Sequence, residues 1–118
     1  MSSDRIYGAN VKIDLNACYY CKQAINDYER TVDHLIPESR GGIRANKNKV
    51  PSCGDCNRLK GDMNPEEFYR AVQAMIRLET REYKKNFAYL RKIENSLIIL
   101  IWSKENKKDA IEEKEVNS

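Results

Sequence analysis

Apolar and polar positions change rhythm several times along this chain, and each change marks an element. Val11, Ile13 and Leu15 alternate with polar neighbours, which reads as a short strand or an extended lead into Cys18. The signal from Lys22 to Glu29 is weak, and Gln23 to Asn26 reads as a turn closing a hairpin with the next strand. Arg30 to Ile36 is rich in β-branched residues and stops at Pro37, so a strand ending near His34 is expected. Pro37 to Asn48 has two glycines and no period. That predicts a long ordered loop, and long loops in small domains usually carry function. Lys49 and Val50 resume a short strand, and Asp55 to Lys60 reads as a helix ended by Gly61.

Beyond Gly61 the period becomes helical. Asn64 is placed as an N-cap, Pro65 occupies the first helical position, and Glu67 follows three after the cap. Phe68, Val72, Met75 and Ile76 keep helical spacing; Ile76, Tyr83, Leu90 and Leu97 then recur every seventh residue, with Phe87 and Ile101 four after alternate members. Polar residues at the second seam position argue against a regular coiled coil. A helical pair or one long helix is expected, packed on the preceding segment or on a second copy. The chain after Lys104 is charged and reads as a frayed tail.

A length of 118 residues, 41% of them hydrophobic and 33% charged, allows one small domain plus an appendage. The longest apolar segment, Leu97 to Trp102, falls far short of the ~20 residues a membrane span needs, so a soluble, intracellular protein is expected. Net charge is only +3, yet the window 40–60 holds Arg40, Arg44, Lys47, Lys49, Arg58 and Lys60 against Asp55 alone. Such a local field suits a polyanion, although a solvated basic loop would look the same.

The four cysteines change the picture more. Cys18 and Cys21 form one C-x2-C pair, and Cys53 and Cys56 form another, with thirty-one residues between the pairs. In a reducing compartment this spacing points to a tetrathiolate Zn²⁺ site rather than to disulfides or four buried thiols. Four sulfurs close the shell to water, which makes the ion structural.

Between the two pairs stands the only histidine, His34, directly after Asp33. A short helix after the second pair could return the Asn57 carbonyl toward Asp33. Carboxylate and amide oxygens are hard donors suited to Mg²⁺ or Mn²⁺, and one charged ligand would hold the ion firmly only when a phosphate adds oxygens. An imidazole with an ordinary pKa of about 6.5 suits a general base that prepares water for attack on a phosphodiester. Consecutive strand residues point apart, so Asp33 and His34 could address opposite sides of a scissile bond.

The pattern C-x2-C, D-H-x2-P-x-S-x-G-G, N-x-V-P-x-C-x2-C-N-x2-K-G-D, running from Cys18 to Asp62, resembles the HNH endonuclease family. The resemblance implies an α+β fold: a small ββα-metal core stapled by the four-cysteine zinc site, followed by a C-terminal helical extension. It implies His34 as general base, Asp33 and Asn57 as ligands of the catalytic divalent ion, and Asn48 as the residue that ties the loop by hydrogen bonds. Arg40, Arg44, Arg58 and Lys60 are the expected phosphate contacts, with a solvent-facing charge as the alternative at each. The expected division is 1–62 for the nuclease core, 63–104 for the helical extension and 105–118 for the tail. DNA is the expected partner, with a second copy or a protein partner open on the C-terminal helices, and the bacterial or phage-infected cytoplasm is the expected compartment. Two other readings stay open: a zinc-stabilised nucleic-acid-binding module without catalysis, which has no need of Asp33, His34 and Asn57, and an assembly protein centred on the C-terminal helices.

Overall fold

A computed structural model describes residues 12–82 and 86–117 of the chain. The expectations for Val11, for the residues before it and for Tyr83 lie outside the described residues. Lys12 to Asp14 form no strand; they lead into a tight turn in which Ala17 bridges Ala24 and the Cys18 amide donates to the Gln23 carbonyl at 2.8 Å. The hairpin expected around Gln23 therefore closes on the preceding segment, around the first cysteine pair, and not on the next strand. Lys22 takes a positive φ of 68° to turn the chain back, and its amide donates to the Cys18 carbonyl.

The β-branched run forms β1, Thr31–His34, antiparallel to β2, Lys49–Ser52, with Thr31 opposite Ser52 and His34 opposite Lys49. Pro51 is tolerated because the sheet has only two strands, and its carbonyl accepts the Tyr19 amide at 2.8 Å, fixing the first cysteine turn to β2. The loop between the strands is shaped by two short 3₁₀ turns, Glu38–Arg40 and Asn46–Asn48. Gly41 takes φ +90°, and a Cβ on Gly42 would fall 1.6 Å from the Ile36 carbonyl oxygen, so a side chain at either position would open the loop.

Helix α1, Gly54–Lys60, begins where the Cys53 sulfur accepts the Cys56 amide and ends at Gly61 with φ 55°. Helix α2, Pro65–Glu82, starts with a reciprocal cap: the Asn64 amide donates to Glu67 Oε1, and the Glu67 amide donates to Asn64 Oδ1, each at 3.0 Å. Helix α3, Phe87–Asn117, returns along α2. The expected helical pair is thus present, and it packs on the preceding segment, where Phe68 of α2 meets the Tyr20 ring edge-on at 5.4 Å.

The stripe that α3 buries is Leu90, Ile93, Leu97 and Leu100, against Phe68, Val72 and Ile76 of α2. Spacings of three and four residues keep that stripe on one face. Phe87 and Ile101 lie at its margin, and the Leu97 to Trp102 segment is split, with Leu97 and Leu100 inside and Ile98, Ile99 and Trp102 exposed. The architecture is the α+β arrangement expected: a ββα unit, clustered cysteines and a C-terminal helical hairpin.

Candidate metal centre and cleft

Two sites lie on opposite sides of Tyr20. On one side the turn at Cys18–Cys21 faces the start of α1, and the sulfurs of Cys18, Cys21, Cys53 and Cys56 all lie within 4.8 Å of one another, with all four residues buried. Zinc–sulfur bonds of about 2.3 Å in a tetrahedron put neighbouring sulfurs about 3.8 Å apart. The Cys21–Cys53 separation is 3.9 Å. Proton sharing in the cluster tells the same story: the hydrogen bond with Cys56 pulls the Cys18 thiol down to about 4, burial pushes Cys21 up to about 11, and the Cys18 contact pushes Cys56 far above the thiol range. Four thiolates this close need a cation, and the all-sulfur tetrahedral set fits Zn²⁺. The Tyr89 hydroxyl of α3 lies 3.3 Å from the Cys56 sulfur, and burial raises its phenol well above the ordinary range.

On the other side of Tyr20 is a cleft of about 330 Å³ lined by Val32, Asp33, His34, Pro37, Glu38, Asn57 and Gly61. Strand β1 supplies Asp33 and His34, and the first turns of α1 bring Asn57 alongside. The Asn57 amide nitrogen donates to Thr31 Oγ1 at 3.0 Å, on the face of β1 that also carries Asp33, so its carbonyl end is left free of that bond. Asp33 is 4% exposed; its Oδ2 accepts from the Tyr20 hydroxyl at 2.5 Å and lies 3.3 Å from Lys60 Nζ. Burial raises the Asp33 carboxyl above its ordinary range against the pull of Lys60, and burial lowers Lys60 against the pull of Asp33. Burial and the Asp33 charge together push the Tyr20 phenol well above its usual value.

Among the described residues His34 Nε2 is buried without a hydrogen-bond partner and stands 3.5 Å from Glu38 Oε2, too far for a firm bond. Glu38 is itself held by Arg44, whose Nε donates at 2.9 Å. Asn48, outside the cleft, holds the loop's shape: its Oδ1 accepts the Ile36 amide, its Nδ2 donates to the Ile36 and Ile43 carbonyls, and its own carbonyl accepts the Leu35 amide.

The basic residues divide. Arg40, Arg44 and Arg58 have solvent-accessible side chains, each paired with a carboxylate, Glu67, Glu38 and Asp55 respectively. Lys60 corrects the expectation of a phosphate contact. Its side chain is 0% exposed and its ammonium is committed to Asp33 and, at 2.9 Å, to the His34 carbonyl, so it cannot reach an external phosphate. The sequence held the clue, since Lys60 follows Cys56 by four residues and so shares the inward face of α1. Tyr20, Thr31 and Glu38 were not expected at the cleft. Thr31 could have been placed there from its position two before Asp33 on the same strand face; Tyr20, between two cysteines, gave no such signal.

A family model described as HNH endonuclease matches residues 18–73. Over these residues the chain is similar to the HNH endonuclease family. The HNH match runs past Asp62, where the sequence resemblance stopped, and into α2 as far as Gln73, so the first turns of that helix belong to the matched segment. No curated protein matches the chain. Among the described residues no helix is long and apolar enough to cross a membrane.

Proposed function

We propose that the HNH domain hydrolyses phosphodiester bonds in DNA, with His34 as the general base and Asp33 and Asn57 as ligands of a catalytic Mg²⁺ or Mn²⁺. The observation that carries this reading is the convergence of these three side chains on one cleft, two from β1 and one from α1. A module that only bound nucleic acid would not require it. When bound, the divalent ion would withdraw charge from the phosphoryl oxygens and stabilise the leaving alkoxide.

The protein's own groups do the rest. Among the described residues Tyr20 and Lys60 both engage Asp33 through Oδ2, so Oδ1 is the oxygen that would meet a cation. Thr31 fixes the Asn57 amide so that its carbonyl is the coordinating end. His34, beside Asp33 at the end of β1 and lining the same cleft, takes the proton from the attacking water; a P–O bond to water oxygen forms as the P–O bond to the sugar oxygen breaks. Asn48 supports this by holding the loop that follows His34, and Arg40, Arg44 and Arg58 are the phosphate contacts. Their carboxylate partners are no obstacle, because exposed ion pairs are worth only about 0–1 kcal/mol and exchange readily for a phosphate.

The test is cleavage of supercoiled plasmid in Mg²⁺, Mn²⁺ or EDTA by the full chain and three variants. His34→Ala should lose on the order of 10² to 10⁴ in rate while keeping its fold and DNA affinity. Asp33→Ala and, more mildly, Asn57→Ala should raise the Mg²⁺ concentration needed for activity. Cleavage by His34→Ala at the wild-type rate would refute the assignment of the base, and binding without cleavage by the wild type would leave a nucleic-acid-binding module.

A further inference from the structure

The long helix α3 lies beyond the matched segment 18–73, yet its inward side chains are aimed at the metal centre. The Tyr89 hydroxyl is 3.3 Å from the Cys56 sulfur, in the second cysteine pair. Two turns on, the Ser96 hydroxyl donates to the Tyr20 carbonyl at 2.8 Å, and the Tyr19 hydroxyl donates to the Ser96 carbonyl at 3.1 Å. Tyr19 and Tyr20 are the two residues between Cys18 and Cys21, so one helix grips both cysteine turns. Ser96 is 1% exposed, and these bonds are shielded from competing water.

We infer that α3 is a clasp that retains the zinc ion, with Tyr89 as a positioning residue that donates its hydroxyl proton to the Cys56 thiolate. The inference rests on the zinc reading of the four cysteines. In a thiol cluster either atom of the Cys56–Tyr89 contact could donate. A metal-bound thiolate has no proton, so there the phenol must be the donor. The cluster needs such donors, because four thiolates carry more negative charge than one Zn²⁺ cancels; the Cys56 amide gives one to Cys53 at 3.4 Å, and Tyr89 gives another from a segment distant in sequence. Hydrogen bonds to an ionised acceptor are among the stronger ones, and loss of an outer partner of a metal ligand typically lowers metal affinity on the order of 10- to 100-fold. Ser96 acts through the backbone of the first turn, not on sulfur.

The experiment compares the full chain with Tyr89→Phe, Ser96→Ala and Trp102→Ala, each loaded with zinc or with cobalt. Zinc release is timed with a chromophoric chelator. Tyr89→Phe keeps the ring and loses only the hydroxyl; it should release zinc about 10-fold faster. Its thiolate-to-cobalt charge-transfer band should also move to longer wavelength, because a thiolate that loses a hydrogen-bond donor gives up its electron more readily. Ser96→Ala should release zinc faster with its band unmoved, and Trp102→Ala, on the exposed face of the same helix, should match the wild type in both. Wild-type release and band position in Tyr89→Phe would overturn the inference, as would equal acceleration by Trp102→Ala, which would mean general loosening of the helix. If Tyr89→Phe does not fold, the release rate of Ser96→Ala decides: a wild-type rate overturns the clasp. A wild-type chain that takes up neither metal overturns the zinc reading itself, a distinguishable failure.

Discussion

Replacing Lys60 by methionine tests the buried contact that the cleft depends on most. The change keeps most of the side-chain volume and removes the charge facing Asp33, which is 4% exposed. Breaking a buried ion pair by removing one partner costs about 3–5 kcal/mol, because the remaining charge has lost its compensation. Asp33 has an escape, which sets a ceiling: it can take up a proton. Neutralising a carboxyl of ordinary pKa about 3.9 at pH 7 costs about 1.4 kcal/mol per unit, or about 4 kcal/mol in all. At pH 5.5 the same escape costs only about 2 kcal/mol.

The sign follows from the direction of the shift. Burial already holds the Asp33 carboxyl above its ordinary value, and Lys60 is the largest influence pulling it back. Without Lys60 the folded-state pKa rises further above the unfolded one, so the penalty is present at neutral pH and is relieved as pH falls toward the unfolded value. Thermal unfolding of the zinc-loaded protein without added Mg²⁺, followed by circular dichroism, should show Lys60→Met melting on the order of 15 °C below the wild type at pH 7. The gap should roughly halve at pH 5.5, and Asp33→Asn combined with Lys60→Met should recover most of it, since the Asn carbonyl can still accept from Tyr20. A Lys60→Met protein within about 1 kcal/mol of the wild type at pH 7, or a deficit that does not change with pH, would refute the reasoning, because neither is compatible with an uncompensated buried charge.

Cys53→Ser should lose zinc and unfold without a sharp transition, because the ion joins segments that the small ββα core cannot hold together by burial alone; metal analysis and calorimetry check this, and zinc-free, reduced wild type would remove the premise. DNA affinity should fall steeply with salt, and Arg40→Ala, Arg44→Ala and Arg58→Ala should each reduce the slope of log affinity against log salt by about 0.9 if each side chain meets one phosphate on duplex DNA. Unchanged slopes in all three would move the DNA elsewhere on the surface.

What was legible in the sequence was whatever depends on local spacing. The strand that stops at Pro37, the short helix ended by Gly61 and the Asn64–Glu67 cap follow from turn chemistry and propensity, and all are found at the expected positions. The gathering of the cysteines followed from tetrahedral metal chemistry, which needs no knowledge of the path between them. What was not legible depends on where one element lies against another. Lys60 reads as one more cation in a basic stretch until α1 is seated on β1, when its position on the Cys56 face turns it inward. The helical stripe was half visible for a related reason. Leu90 and Leu97 repeat at seven, and Ile93 and Leu100, three residues after each, complete the face buried against α2, while Ile101, four after Leu97, stays at its margin.

Tyr20 shows why the metal centre and the cleft cannot be treated as separate devices. Its backbone lies inside the first cysteine turn and its carbonyl is held by Ser96 of α3, while its hydroxyl is bonded to Asp33 in the cleft. The ring is fully buried between Tyr19 and Phe68, so it has no room to adjust if the turn moves. A displaced cysteine turn must therefore shift the Tyr20 donor on Asp33 Oδ2 and leave that oxygen to Lys60. An ion held by the four cysteines would thereby act on the geometry of a carboxylate that it never touches. The physical link is one rigid aromatic side chain, and a loss of zinc should reach the cleft before the sheet itself comes apart.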